Sequence, residues 1–256
     1  MAPHRHRDRA LAIALLASLV LWNLPFGGLL LYPFKLLATW MHELSHGLIM
    51  LLSGAGFDRI EIYRDTSGLA FAERGVGPYA RAAIAAAGYM GTPLLGAIIL
   101  IWGQTRRRAR VILMVLGAAM AVSAVVFVDN TFGAVAVGVG AGLCLVGFVM
   151  ASERVAMVLV NFIAAQACIN ALLDIRVLFR ANLVVNGKNM GNSDAHNMAE
   201  ATFGSPTLWA SIWLAWSIVL LYAALRLVYL HRKRQRARAS AADDPTQDSL
   251  RDPVGA

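Results

Sequence analysis

The chain has 256 residues, of which 58% are hydrophobic and only 15% charged, with a formal net charge of +8. A water-soluble globule of this length needs far more charge to cover its surface, so the composition implies a single bundle of membrane helices. The positive charge is clustered in HRHRDR near the N-terminus, RRRAR at 106–110 and HRKRQRAR at 231–238. Such blocks beside apolar runs anchor helix ends. No base-reading motif or aromatic platform accompanies them, so nucleic acid is not an expected partner.

A basic N-terminal segment, 1–9, precedes a membrane-embedded region, 10–230, and a basic then disordered tail, 231–256. The expected fold is an all-α polytopic membrane protein with about seven spans, near 10–31, 33–54, 79–102, 110–128, 131–151, 154–180 and 207–230. The run from Leu11 has no evident small-residue cleavage site and stays apolar past residue 30, so it reads as a retained span. After the second span, GFDRIEIYRDTSGLAFAE at 56–73 predicts a small β-hairpin, with a plain connecting turn as the alternative. Ile60 and Ile62 alternate with Arg59 and Glu61, Arg64 to Gly68 offers turn chemistry, and Leu69 to Ala72 returns. The fourth and fifth spans are separated only by Asp129, Asn130 and Thr131. Cys144 and Cys168 lie within apolar runs and suggest neither a disulfide nor a cysteine zinc site. Residues 181–206 read as an Asn- and Gly-rich loop that carries Asp194, His196 and Glu200. No internal repeat of the transporter kind is found.

The second span holds His-Glu-Leu-Ser-His at 42–46. His42 and His46 are four residues apart and project from one helix face, so two imidazoles can reach one zinc ion. Glu43 lies close enough to serve as general base on a water bound there. Three ionisable groups on an apolar segment are costly, and a metal compensates them; the bland alternative is a helix end facing water. Zinc needs a further ligand. Gln166, Asn170 and Asp174 form a polar stripe at spacings of four on the sixth span, and Asp174 is the leading candidate. The alternatives are Asp194 and His196 in the following loop, with Asp174 then an acid paired to Arg176 or Arg180.

Four features in this order resemble the site-2 protease family of intramembrane zinc metalloproteases, in its compact M50B-like branch. They are HELSHGL in a span, the hairpin-like GFDRIEIY…SGLAF, GYMGTPLLG at 88–96, and LLDIRVLFR followed by NSDAHNMAEATFGSPTLWASIW at 192–213. The resemblance implies that His42 and His46 are ligands, that Glu43 is catalytic, and that Asp174 matches the aspartate of the later helix. The wider family often has Asp-Gly there, preceded by Asn and Pro. Here Ile175 follows Asp174, and Gln166 and Ile169 hold the upstream positions. Gly88, Gly91 and Gly96 read as sites of close helix packing, with the HELSH helix as the candidate neighbour. The expected activity is hydrolysis of a membrane-associated protein substrate within the bilayer, at a multi-pass location expected to be the bacterial cell membrane. The rivals are a non-proteolytic membrane protein that keeps a structural zinc site, and a transporter.

Overall fold

A computed structural model describes residues 13–14, 16–18, 20–178 and 183–242. The basic segment 1–9, Arg180 and the tail from 243 fall outside them. Helix α1 (Leu16–Asn23) meets α2 (Gly27–Leu52) at a 120° bend, at the turn-forming Leu24, Pro25 and Phe26. Strands β1 (Phe57–Ile62) and β2 (Gly68–Ala72) follow, then α3 (Pro78–Trp102), α4 (Arg106–Val126), α5 (Thr131–Met150) and α6 (Glu153–Leu178). A second hairpin, β3 (Leu183–Val185) and β4 (Lys188–Gly191), leads to the short α7 (Asp194–Ala201) and the long α8 (Pro206–Ala242). The fold is thus an all-α membrane bundle with a small antiparallel hairpin after the HELSH helix.

The span count is five among the described residues, or six if the bent α1–α2 pair counts as one, against the seven expected. The difference arises at Pro33, which α2 accommodates in its interior. The chain bends earlier, between Asn23 and Gly27, and α2 runs on through Pro33. Six spans would return the chain to the side on which it starts. Arg232 on α8 hydrogen-bonds Gln104 in the α3–α4 turn, so two of the three basic blocks lie at one end of the bundle. The boundary expected at residue 230 is not a structural break, since α8 continues through the basic block to Ala242.

Helix α6 is the central element. Ala156, Val160, Ala164, Ala167 and Ala171 are buried along it, and small side chains let neighbouring backbones approach. Gly96 on α3 meets Ala164, Ala167 and Cys168, where a Cβ would stand only 2.7 Å from Sγ. Helices α4 and α5 pack on each other at the periphery and turn Val122, Val135, Val139, Leu143 and Val146 outward, an apolar surface suited to lipid. Both cysteines are free and buried.

The first hairpin is fixed from both sides. Ile60 hydrogen-bonds Phe127 and Asp129 through its main chain, and the Asn130 side chain brackets Ile62 by accepting from its N–H and donating to its carbonyl. Ile60 opposes Ala70 and Ile62 opposes Gly68. Because Ile60 and Ile62 direct their main-chain groups away from β2, their partners Ala70 and Gly68 direct theirs to the opposite, outer edge. That edge faces α2.

Candidate metal centre

His42 and His46 lie on one face of α2, with ring centroids 4.8 Å apart. α3 approaches that face closely because Gly88 offers no side chain. A Cβ there would stand 2.3 Å from His42 Nε2 and 2.4 Å from His46 Nε2, so no other residue fits without moving a ring. Gly91, one turn on, clears Ser45 in the same way. Gly88 and Gly91 therefore pack against the HELSH helix, Gly88 at the two histidine Nε2 atoms themselves, whereas Gly96 packs on α6.

Each ring is oriented by a neighbour. His46 Nδ1 lies 2.6 Å from the Ile84 carbonyl. A carbonyl only accepts, so Nδ1 carries a proton and Nε2 is the nitrogen turned toward Asp194. His42 meets the Tyr89 ring edge-on at 4.6 Å, and Tyr89 stacks in parallel on the buried Trp213 at 5.3 Å.

The third group is Asp194. Its Oδ2 lies 3.6 Å from His42 Nε2 and 3.4 Å from His46 Nε2. Two atoms sharing a tetrahedral zinc ion at ~2.0–2.2 Å stand ~3.3–3.6 Å apart, and both distances from Asp194 Oδ2 fall in that range. Among the described residues these three offer one ligand atom each, all within 4.8 Å of one another. Two imidazoles and a carboxylate are a donor set suited to zinc. Burial alone would raise the Asp194 carboxyl, but the adjacent His46 and His42 rings hold it well below the usual carboxylate range.

Asp194 opens α7, a helix where a loop was expected. Ser193 is its N-cap, the Ser193 carbonyl accepts from Asn197 N–H at 2.9 Å, and an acid in the first turn complements the helix dipole. Ala195 is wholly buried against Tyr89, Ile175 and Trp213, which roots the helix in the bundle. Glu200 pairs with Arg81 of α3 and accepts from Asn192 Nδ2 at 2.7 Å, tying both sides of Asp194 to α3. His196 is not a member of the metal-ligand group; its Nδ1 lies 2.9 Å from Ser193 Oγ.

Asp174 does not join the two histidines. It lines the same cavity, of about 620 Å³, and an adjoining one, but it forms no ion pair among the described residues, with Arg176 or any other cation. Asp174 stands within electrostatic reach of His42 and Lys35, whereas Gln166, two turns earlier on the stripe, donates to Ser18 Oγ at 3.0 Å and accepts from Trp22 Nε1 at 3.3 Å on α1.

Glu43 is buried beside the cluster, and the Ala70 main chain hydrogen-bonds its carboxylate. Gly68 lies directly over it, where a Cβ would come within 2.8 Å of Glu43 Cγ and Oε1. The turn before Gly68 holds Thr66 at φ 69°, a rare conformation for a β-branched residue. The Thr66 carbonyl accepts from Thr39 Oγ1 at 2.6 Å, which fixes the turn against α2. The second hairpin reaches the same turn, with Asn186 N–H donating to Ser67 Oγ at 3.3 Å. Sequence reading missed this hairpin, although Asn-Gly directly after the apolar run Leu183–Val185 is a strong turn signal, and Asn186 and Gly187 adopt positive φ.

A family model described as Peptidase M50B-like matches residues 10–224 of the chain. No curated protein and no solved structure matches it.

Proposed function

The chain belongs to the Peptidase M50B-like branch of the site-2 protease family, intramembrane metalloproteases; from that premise we propose that it is a zinc endopeptidase cutting membrane-associated proteins, with His42, His46 and Asp194 as ligands and Glu43 as general base. The observation that carries this reading is the approach of Asp194 Oδ2 to both histidine Nε2 atoms beside a buried, unpaired acid. Asp174, the leading candidate from sequence, has in this reading no place among the ligands.

A zinc ion bound by these residues would acidify a water and polarise the scissile carbonyl. Glu43 takes a proton from the attacking water as its oxygen bonds to the carbonyl carbon. It then delivers a proton to the departing amine nitrogen as the C–N bond breaks. Ala70 N–H orients the carboxylate for both transfers. A membrane helix hides its peptide bonds in its own hydrogen bonds, so the substrate must unwind to be cut. The outer edge of β2, with the main-chain groups of Gly68 beside the metal-ligand cavity, is suited to pair with the unwound strand.

Glu43→Gln tests the reading. It keeps shape and hydrogen bonding but cannot act as base. The variant is expected to retain zinc and fold while losing at least ~10²-fold in cleavage of membrane-protein substrates, read by comparing membrane proteomes with wild type. Cleavage at the wild-type rate would remove Glu43 as the base. Identical proteomes with zinc bound in both would favour a non-proteolytic zinc protein.

A further inference from the structure

The metal-ligand cavity adjoins a second cavity of about 690 Å³, and the two share Thr39, Thr66 and Asp174 in their walls. The second cavity lies between α1, α2 and α6 and is lined by Lys35, Asn170 and Arg176. Lys35 is half-buried and Arg176 is exposed in the last turn of α6, so the cavity opens toward the helix end, while a buried amide such as Asn170 within a membrane bundle is costly to leave unbonded. Asn170 is only 3% exposed, yet its Nδ2 has no hydrogen-bond partner among the described residues. Gln166, one turn earlier on the same stripe, has both its amide atoms engaged by α1. A buried donor left free beside a cavity points to an acceptor that arrives with a ligand. Lys35 Nζ sits 5.0 Å over the Trp22 ring, and neither Lys35 nor Arg176 has an ion-pair partner among the described residues. Two cations and a free N–H against the single acid Asp174 leave the cavity net positive.

We propose that this second cavity is a specificity subsite that takes a carboxylate of the substrate peptide, held by Lys35, Arg176 and the Asn170 amide. The carboxylate is either an acidic side chain or a free C-terminus. The proposal rests on the proteolytic reading above and names what that site selects. Lys35 lies seven residues from His42 on α2, or ~10 Å along the helix axis. An extended peptide advances ~3.3 Å per residue, which places the carboxylate about three residues from the scissile bond. The outer edge of β2 runs the same way along α2, from Ala70 beside Glu43 through Gly68 to Thr66, which is held by Thr39. Asp174 stands at the junction, where it repels an acid placed nearer the cut and so sets the position by exclusion as well as attraction.

The test uses the purified full-length Glu43→Gln chain in nanodiscs and fluorescence anisotropy of labelled octapeptides built from Leu, Ala and Gly. One carries a single internal Glu, one has Gln in its place, and one is neutral with a free C-terminal carboxylate against its amide. A carboxylate-bearing peptide is expected to bind about tenfold more tightly than its neutral counterpart, as charge-assisted hydrogen bonds allow. Which of the two carboxylate peptides gains identifies the source. Lys35→Gln and Arg176→Gln should each reduce the preference, and Asn170→Asp should reverse it. Equal binding of all four peptides, unchanged by Lys35→Gln, overturns the subsite. The readout is binding by a chain without its base, so the two readings fail separately. Discrimination without cleavage by wild type removes the protease and leaves the carboxylate site. Cleavage without discrimination removes the subsite alone.

Discussion

Asp194 and Asp174 line one cavity yet sit in surroundings of different kinds. Asp194 stands at the N-terminus of a short helix that is anchored by Ala195 and tied to α3 through Glu200 and Arg81, and its Oδ2 faces two imidazoles. Asp174 lies on a long membrane helix, on a stripe that starts against α1, and faces a positively lined cavity. The difference shows how a short element outside the spans can place a carboxylate more closely than a span can. Along α6 the polar stripe changes neighbours, from α1 at Gln166 to the histidine cavity at Asp174. Helix α7 has eight residues and a free choice of entry angle, so it can deliver one side chain to a chosen point.

The contrast can be broken most severely at Gly88. Gly88→Ala inserts a Cβ 2.3–2.5 Å from ring atoms of both histidines. Zinc affinity is expected to fall at least about a hundredfold, more than loss of an outer-shell partner alone would cause. Metal titration of the purified variant measures it, and unchanged affinity would mean that α3 does not form the wall of the ligand group. Gly68→Ala sharpens the picture by crowding the base without touching the histidines. Its Cβ would stand 2.8 Å from Glu43 side-chain atoms and from Thr39 Cγ2, so zinc should stay bound while cleavage drops ~10–100-fold, as a misplaced catalytic group does. A parallel loss of zinc would show that the hairpin supports the metal ligands as well. Arg81→Gln is the mildest change. It breaks a surface-exposed pair that contributes at most about 1 kcal/mol, so zinc affinity should weaken by less than about fivefold in a titration. A larger loss would make Arg81 essential for seating α7.

The pairing of His42 with His46 on one face, with Glu43 beside them, was legible because a four-residue spacing on a helix is local information. The approach of Asp194 was not, because Asp194 reaches His42 only through the packing of α7 on α3 and α8. SDAH lacks the apolar periodicity of a helix, although a serine before an acid is an N-terminal signal. Asp174 drew attention for the opposite reason. Its stripe is visible in sequence, but nothing local says which neighbour a stripe faces. The first hairpin was readable from the alternation of Ile60 and Ile62 with charged residues, whereas its anchorage by Asn130 came from a residue that looked like a mere separator of two spans. The turn at Pro25 and the uninterrupted helix through Pro33 show the same limit, since tertiary neighbours decide which proline breaks a helix.

The central claim is that the metal is held by α7 and not by α6, and the zinc content of Asp194→Asn and Asp174→Asn, purified side by side with wild type, tests it most directly. Both substitutions keep size and remove one negative charge, so the comparison isolates ligation from packing. The account predicts about one zinc per chain in wild type and in Asp174→Asn, with Asp194→Asn losing most of its metal while remaining folded. Loss of zinc from Asp174→Asn with full retention in Asp194→Asn would contradict it.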